Sequence, residues 1–250
     1  MRITSKQNAI IQKIIALQSK KGRREYRQYL IEGKKQVQEA LHYKIPIVQI
    51  VISDNFIEKE EFIQLLQQDK DIQLIEVPET LFARISTNKS PQGILAILPM
   101  PQTTVESPQK NAILLDEIQD CGNLGTILRS ANAFGIQDIY LKNCADPFSP
   151  KTVQASMSSL FFVRLHIGDF SEIVHALKDV SLIGADLHGK NLQNYHFQES
   201  CCLVLGNEGN GISQEVRDCC VECVTIPMHG KAESLNVAVA ASILMYSMQK

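Results

Sequence analysis

LVLGNEGNGIS, Leu203–Ser213, is the stretch on which the reading of this chain turns. An apolar run, Leu203-Val204-Leu205, passes straight into Gly206-Asn207-Glu208-Gly209-Asn210-Gly211. Three glycines in six residues let the backbone come close to a bound molecule, with N–H groups able to turn inward. The order is G-x-x-G-x-G, so this is not the dinucleotide fingerprint G-x-G-x-x-G, and the Gly-Lys-Ser/Thr of a phosphate loop is missing. Taken alone, the stretch fits a hairpin-like turn equally well.

Two other segments share its form of an apolar strand, a polar turn and then a helix. Upstream, AILLD (Ala112–Asp116) leads into DEIQDCGNLGTILRSANAFG (Asp116–Gly135), where a helix is expected from near Asn123 to Phe134. Arg129 falls on the first turns of that helix, placed to grip a phosphate or to serve as a plain surface charge. Downstream lies VTIPMHGKAESLNVAVAASILMYSM (Val224–Met248). There a strand closes at Pro227, a loop carries His229, Gly230 and Lys231, and Ser234 is expected to cap a helix running to Met248, an ordinary use of Ser.

Working outward, strands alternate with helices along the whole chain, which predicts α/β architecture. In the N-terminal part the pattern predicts helices over Asn8–Leu17, Lys34–Tyr43, Phe56–Gln68 and Pro78–Ile85. Strands are predicted over Ile47–Ser53, Ile72–Val77 and Gly93–Leu98. The polar stretch PMPQTTVESPQKN, with Pro99, Pro101 and Pro108, reads as a linker. The expected division is a domain at 1–98, a linker at 99–110 and a domain at 111–250. In the second domain strands are also expected at Asp138–Leu141, Phe161–His166, Leu182–Ala185, Cys202–Leu205 and Val221–Ile226. Helices are expected at Lys151–Met157, Phe170–Leu177 and Gln214–Asp218. Apolar strands such as CCLVLG suit a sheet covered on both faces.

Composition narrows the class. With 250 residues, 44% hydrophobic and 21% charged, the chain has the make-up of a soluble globular protein. No run is long and apolar enough to span a bilayer, and the N-terminus lacks the apolar core of a secretory signal, so no membrane partner and a cytoplasmic location are expected. Seven Cys are then expected to be reduced, and Cys220 and Cys223, without a second spaced pair, read as packed thiols rather than metal ligands. Residues 1–44 hold eleven Lys and Arg against three acids, a net of +8, which leaves −10 on the remainder of a chain whose net charge is −2. A basic end on an acidic body points to a polyanion, with Lys20, Lys21, Arg23, Arg24 and Arg27 as the densest cluster.

Together the three segments resemble the motifs of the SpoU branch of the SPOUT methyltransferases, the TrmH-like RNA 2′-O-ribose methyltransferases. The first motif is matched by Asn123-Leu124-Gly125-Thr126-Ile127-Leu128-Arg129. The second is matched by Leu205-Gly206-Asn207-Glu208-Gly209-Asn210-Gly211-Ile212, and the third by Ile226-Pro227-Met228 through Ser234-Leu235-Asn236-Val237. Leu30-Ile31-Glu32-Gly33 and Ser90-Pro91-Gln92-Gly93-Ile94 resemble, more weakly, the L30e-like substrate-binding domain of ribosomal-RNA members. Cys121 stands where the family often has Pro, and Ser158 where Gly is common.

The resemblance implies a trefoil knot in the C-terminal domain and a homodimer through the last helix. It implies S-adenosylmethionine held by Leu205, Gly206, Asn207, Gly209, Ile226, Pro227, Met228 and Leu235. Arg129 would act on a ribose 2′-hydroxyl and its phosphate, with Asn123, Glu208, Ser234 and Asn236 around it. An RNA substrate follows, with 23S ribosomal RNA favoured over transfer RNA because of the N-terminal domain and its basic cluster. The rival readings are an inactive RNA-binding protein of the same fold and a nucleotide-dependent α/β enzyme such as a dehydrogenase. All five polar motif residues are present, which disfavours the first, and the missing dinucleotide fingerprint disfavours the second.

Overall fold

The computed structural model describes residues 1–57, 59–66 and 72–249. It divides into two compact units, Met1–Pro101 with Phe148–Phe161, and Gln102–Pro147 with Phe162–Lys250.

In the first unit, α1 (Ala9–Leu17), α2 (Lys20–Tyr26), β1 (Gln28–Glu32), α3 (Lys34–His42), β2 (Gln49–Ser53), α4 (Lys59–Leu66), β3 (Gln73–Val77), α5 (Glu79–Ile85) and β4 (Ile94–Pro99) follow one another. The sheet order is β1-β4-β2-β3, antiparallel except for the parallel β2–β3 pair. Helical spacing of Ile11, Ile14 and Leu17 buries one face of α1 against Val51, Ile75, Leu95 and Phe82. Asn8 and Ser19 cap α1 and α2 by accepting from Ile10 N and Gly22 N. Strand β1 was not among the expected strands. Only five residues long, it follows a charged helix with no turn signal to mark its start. The C-terminal end of the expected helix Phe56–Gln68 lies outside the described residues.

The second unit is built from β5 (Ala112–Asp116), α6 (Cys121–Ala133), β6 (Asp138–Lys142), β7 (Arg164–Ile167), α8 (Phe170–Ala176), β8 (Ser181–Asn191), β9 (Cys201–Leu205), α9 (Gln214–Arg217), β10 (Glu222–Thr225) and α10 (Val237–Ser247). Between β6 and β7 runs α7 (Pro150–Ser156), which belongs to the first unit. The six strands are all parallel, in the order β10-β8-β9-β5-β6-β7. Strand order reverses between β5 and β9, and in a doubly wound sheet the crevice for a ligand opens at the carboxyl ends of the strands flanking that reversal. Those ends are Asp116 and Leu205, where the first two motif segments begin.

Several expectations are corrected. Phe148–Phe161 does not belong with the rest of 111–250: Phe148 packs on Tyr29 with ring centroids 5.1 Å apart, and Gln154 Nε2 donates to Asn88 Oδ1 at 2.6 Å. The proline-rich stretch has no helix or strand, but its Gln102–Lys110 part lies in the second unit. His166 Nδ1 is 2.8 Å from Thr104 O, and the Tyr140 hydroxyl donates to Glu106 O at 2.5 Å. Strand β7 begins only at Arg164, because Ser159–Phe162 forms a 3₁₀ turn after two left-handed residues, Met157 and Ser158. Strand β8 runs six residues past Ala185, where its sequence turns polar and its face becomes exposed.

Candidate functional site

The site starts from a buried ion pair. Asp116 ends β5 with no exposed surface and Lys142 ends β6 at 3% exposure, with Nζ 2.8 Å from Asp116 Oδ1. Such a pair is stable only when its remaining valences are met. Asp116 Oδ2 accepts from Ser213 N at 2.7 Å, and Lys142 Nζ also reaches Glu215 Oε1 at 2.8 Å. Ser213 follows the glycine-rich loop, so this pair fastens one end of that loop to the sheet.

The loop is fixed from within as well. Asn207 and Gly211 exchange both backbone hydrogen bonds at 2.9 Å, and Asn207 Nδ2 donates to Glu117 O at 2.8 Å. A Cβ on Gly206 would sit 2.1 Å from Gly211 C, so only glycine fits there. The N–H groups of Gly209 and Asn210 donate to Asn207 Oδ1 at 2.9 and 3.1 Å, so these two do not turn toward a ligand as the glycine spacing suggested.

Helix α6 starts at Cys121, two residues before Asn123, because Asp120 caps it by accepting from Asn123 N at 2.8 Å. Helix α10 starts at Val237, and its cap is Asn236, not Ser234: Asn236 Oδ1 accepts from Ala238 N at 2.9 Å and from Val239 N at 3.4 Å. With its oxygen so engaged, Asn236 Nδ2 donates to Asn123 Oδ1 at 2.9 Å, and Asn123 Nδ2 donates to Glu208 Oε1 at 3.1 Å. The three segments thus meet in one directional chain of hydrogen bonds. Burial pushes the Glu208 carboxyl up, but Asn123 and the backbone N–H of Asp120 outweigh it and hold the group below its usual 4.5.

Beside this chain lies a cavity of about 550 Å³, a size that suits a small-molecule cofactor. Leu205, Gly206, Asn207, Gly209, Ile226, Met228 and Leu235 line it, together with Glu208, Ser234 and Asn236. Pro227, Asn123 and Arg129 do not. Arg129 is exposed and, among the described residues, has no hydrogen bond or ion pair. Asp186, His188 and Arg217 also line the cavity and were not anticipated from sequence: the strand carrying Asp186 and His188 was expected to stop at Ala185, and Arg217 read as an ordinary helix charge. Apolar walls from Leu205, Ile226, Leu235 and Leu244 and a polar rim from the glycine-rich loop fit an adenosyl group. A cavity of about 600 Å³ lies in the first unit among Lys34, Phe56 and Gln92, but none of the three segments reaches it.

The thiols stand apart from this chemistry. Burial pushes the Cys220 thiol up to about 12 and raises Cys201, Cys202 and Cys223, so they stay protonated. Of the basic cluster, Lys20, Lys21, Arg24 and Arg27 are exposed. Arg23 is corrected: it is 3% exposed and its Nη1 donates to Leu17 O at 2.8 Å and Gln18 O at 2.9 Å. It satisfies carbonyls at the end of α1 and is turned away from any polyanion.

Residues 110–246 match the SpoU rRNA Methylase family, and residues 8–96 match the MRM3-like substrate binding domain. The chain is 32% identical to the 23S rRNA (guanosine(2553)-2′-O)-methyltransferase RlmP of Bacillus subtilis, over 99% of each protein. It is 31% identical to a 23S rRNA (uridine(2479)-2′-O)-methyltransferase of Streptomyces viridochromogenes, over 98% of this chain and 90% of that one. The AdoMet-bound rRNA methyltransferase of Sinorhizobium meliloti superposes with a TM-score of 0.89 at 29% identity, covering 100% of this chain and 97% of the other. With the three motif segments joined by one chain of hydrogen bonds and a family match over residues 110–246, the chain belongs to the SpoU rRNA methylase family.

Proposed function

We propose that this protein transfers a methyl group from S-adenosylmethionine to a ribose 2′-hydroxyl of 23S ribosomal RNA. The observation that carries the reading is the chain Asn236–Asn123–Glu208, which joins the three motif segments at the rim of the cavity. When bound, the cofactor supplies an electrophilic methyl on a sulfonium. Leu205, Gly206, Asn207, Gly209, Ile226, Met228 and Leu235, which line the cavity, would hold it.

The protein's own task is to place a hydroxyl in line with that methyl and to help its proton leave. A guanidinium such as that of Arg129 is a poor base but a good phosphate ligand. Arg129 grips a phosphate of the RNA and orients the hydroxyl, while Ser234 and the Asn236 amide, which Asn123 fixes in place, shape the pocket. Because Arg129 does not line the cavity of its own chain, a homodimer accounts for its role. On α10 and just before it, Leu235, Val239, Ile243 and Tyr246 form an exposed apolar stripe at helical spacing that such a dimer would cover. The knot implied by the family and a cytoplasmic location belong to the same reading.

Lys20, Lys21, Arg24 and Arg27 supply the RNA-facing charge, and the match to a substrate-binding domain favours ribosomal over transfer RNA. The test is to incubate the protein with labelled S-adenosylmethionine and unmodified ribosomal and transfer RNA, digest, and identify the labelled nucleoside. Label in a 2′-O-methylated nucleoside of 23S RNA is the expected result. Label only in transfer RNA overturns the substrate, cofactor binding with no label in either RNA points to a missing substrate such as an assembly intermediate, and no label with no cofactor binding supports the inactive reading.

A further inference from the structure

Two carboxylates line the cavity, and they differ in what they already accept. Glu208 is taken up by Asn123 Nδ2 and by the backbone N–H groups of Asp120 and Gln119. Asp186 is 14% exposed and, among the described residues, holds two partners, His188 N at 2.9 Å on Oδ1 and the Arg217 guanidinium on Oδ2. A carboxylate offers about four acceptor positions, so each Asp186 oxygen keeps one unused. Burial pushes this carboxyl up, but Arg217 and the His188 N–H outweigh it and hold it below 3.8, so the group is ionised and accepts only.

A half-buried ion pair in the wall of a cofactor cavity needs a use, because its desolvation is costly unless the remaining positions are filled. We propose that Asp186, held in place by Arg217, accepts the two ribose hydroxyls of the bound cofactor; this rests on the cavity being the S-adenosylmethionine site. The two oxygens of one carboxylate match the two donors of a vicinal diol. The pair Asp186–Arg217 is already neutral as a unit. A neutral diol needs only the spare acceptor positions, whereas the charged amino-acid head would have to compete with Arg217 for Asp186.

The test is calorimetric titration of the full-length protein with three probes: S-adenosylhomocysteine, 5′-methylthioadenosine, which lacks the amino-acid head, and the 2′,3′-dideoxy form of 5′-methylthioadenosine. Asp186→Asn is expected to weaken the first two by about tenfold each and to abolish the wild-type preference for the diol over the dideoxy form. Arg217→Gln keeps the carboxylate and is expected to retain that preference. Unchanged binding to Asp186→Asn overturns the assignment. So does weakening confined to S-adenosylhomocysteine, which would give Asp186 to the amino-acid head, and so does equal loss of preference in both variants, which would mark a collapsed wall. Absence of any binding by the wild type overturns the cofactor reading itself, a separate failure.

Discussion

Asn236 Nδ2 lies 2.9 Å from Asn123 Oδ1, and this contact decides which way both amides face. The Asn236 oxygen is held by the start of α10, so its nitrogen must point at Asn123, whose own nitrogen must then point at Glu208. Asn123→Asp removes the side-chain amide that donates to Glu208 and sets two carboxylates about 3 Å apart. We expect a loss of methyl transfer of at least about a hundredfold for Asn123→Asp, larger than for Asn123→Ala. Steady-state kinetics on the substrate RNA checks the order, and a milder effect for Asp than for Ala would break the directional reading.

Arg129→Lys keeps the charge but loses the planar fork. If Arg129 orients the hydroxyl through a phosphate, turnover at saturating RNA should fall by about a hundredfold or more while cofactor affinity stays unchanged. Near-normal turnover would remove Arg129 from that role.

The basic cluster divides into two kinds of residue. Neutralising Lys20, Lys21, Arg24 and Arg27 should weaken RNA binding and lower the slope of log K against log salt by up to about 3, taking the single-strand value per contact. Arg23→Gln should leave that slope unchanged and lower the melting temperature, since it strands the carbonyls of Leu17 and Gln18. Filter binding at several salt concentrations and thermal melts separate the two.

Asp138 joins β6, β7 and the residues before β5. Its carboxylate takes both Arg164 Nε and Nη2 at 2.8 Å, His166 Nε2 at 3.0 Å and Gln109 N at 3.1 Å. Burial pushes its pKa up, but Arg164 and His166 outweigh it and lower it from 3.8. A depressed carboxyl gives stability that is present above 3.8 and drains away as pH falls through and below it. Asp138→Asn should cost about 3 kcal/mol at neutral pH and flatten the acid limb of the stability curve, measured by urea melts between neutral pH and pH 3.

Ser158 sits at φ +68 with its hydroxyl buried and unpartnered. Glycine adopts that conformation without strain, which gives a physical reason for its frequency there in the family. Ser158→Gly should raise stability by about 0.5–1 kcal/mol, read from thermal unfolding.

What was legible from the chain follows local physics. Apolar runs gave β2, β5 and β9, and helical spacing gave α1 and α3, because each buries one continuous pattern. The glycine-rich loop was legible where residue type alone sets the backbone, as at Gly206, whose Cβ would meet Gly211. The site was illegible where a partner far along the chain decides. Asn236 rather than Ser234 caps α10 because Asn123, 113 residues away, takes its nitrogen. Arg23 looked like its basic neighbours until the end of α1 claimed it. Asp186 lay hidden past a strand whose polar half carries no apolar signal.

Phe148–Phe161 leaves the second half of the sequence to join the first unit, so the polypeptide passes between the two bodies more than once. Cutting at the proline-rich stretch would not release two modules. A fragment beginning at Gln102 would carry Phe148, Val153 and Leu160 without the strand and loop they cover, as a sticky apolar flap. A fragment ending at Pro101 would bare Tyr29. Recombination between relatives that swaps one half for another must therefore exchange this short insert along with the N-terminal body, so heredity is expected to treat the two halves as a single unit.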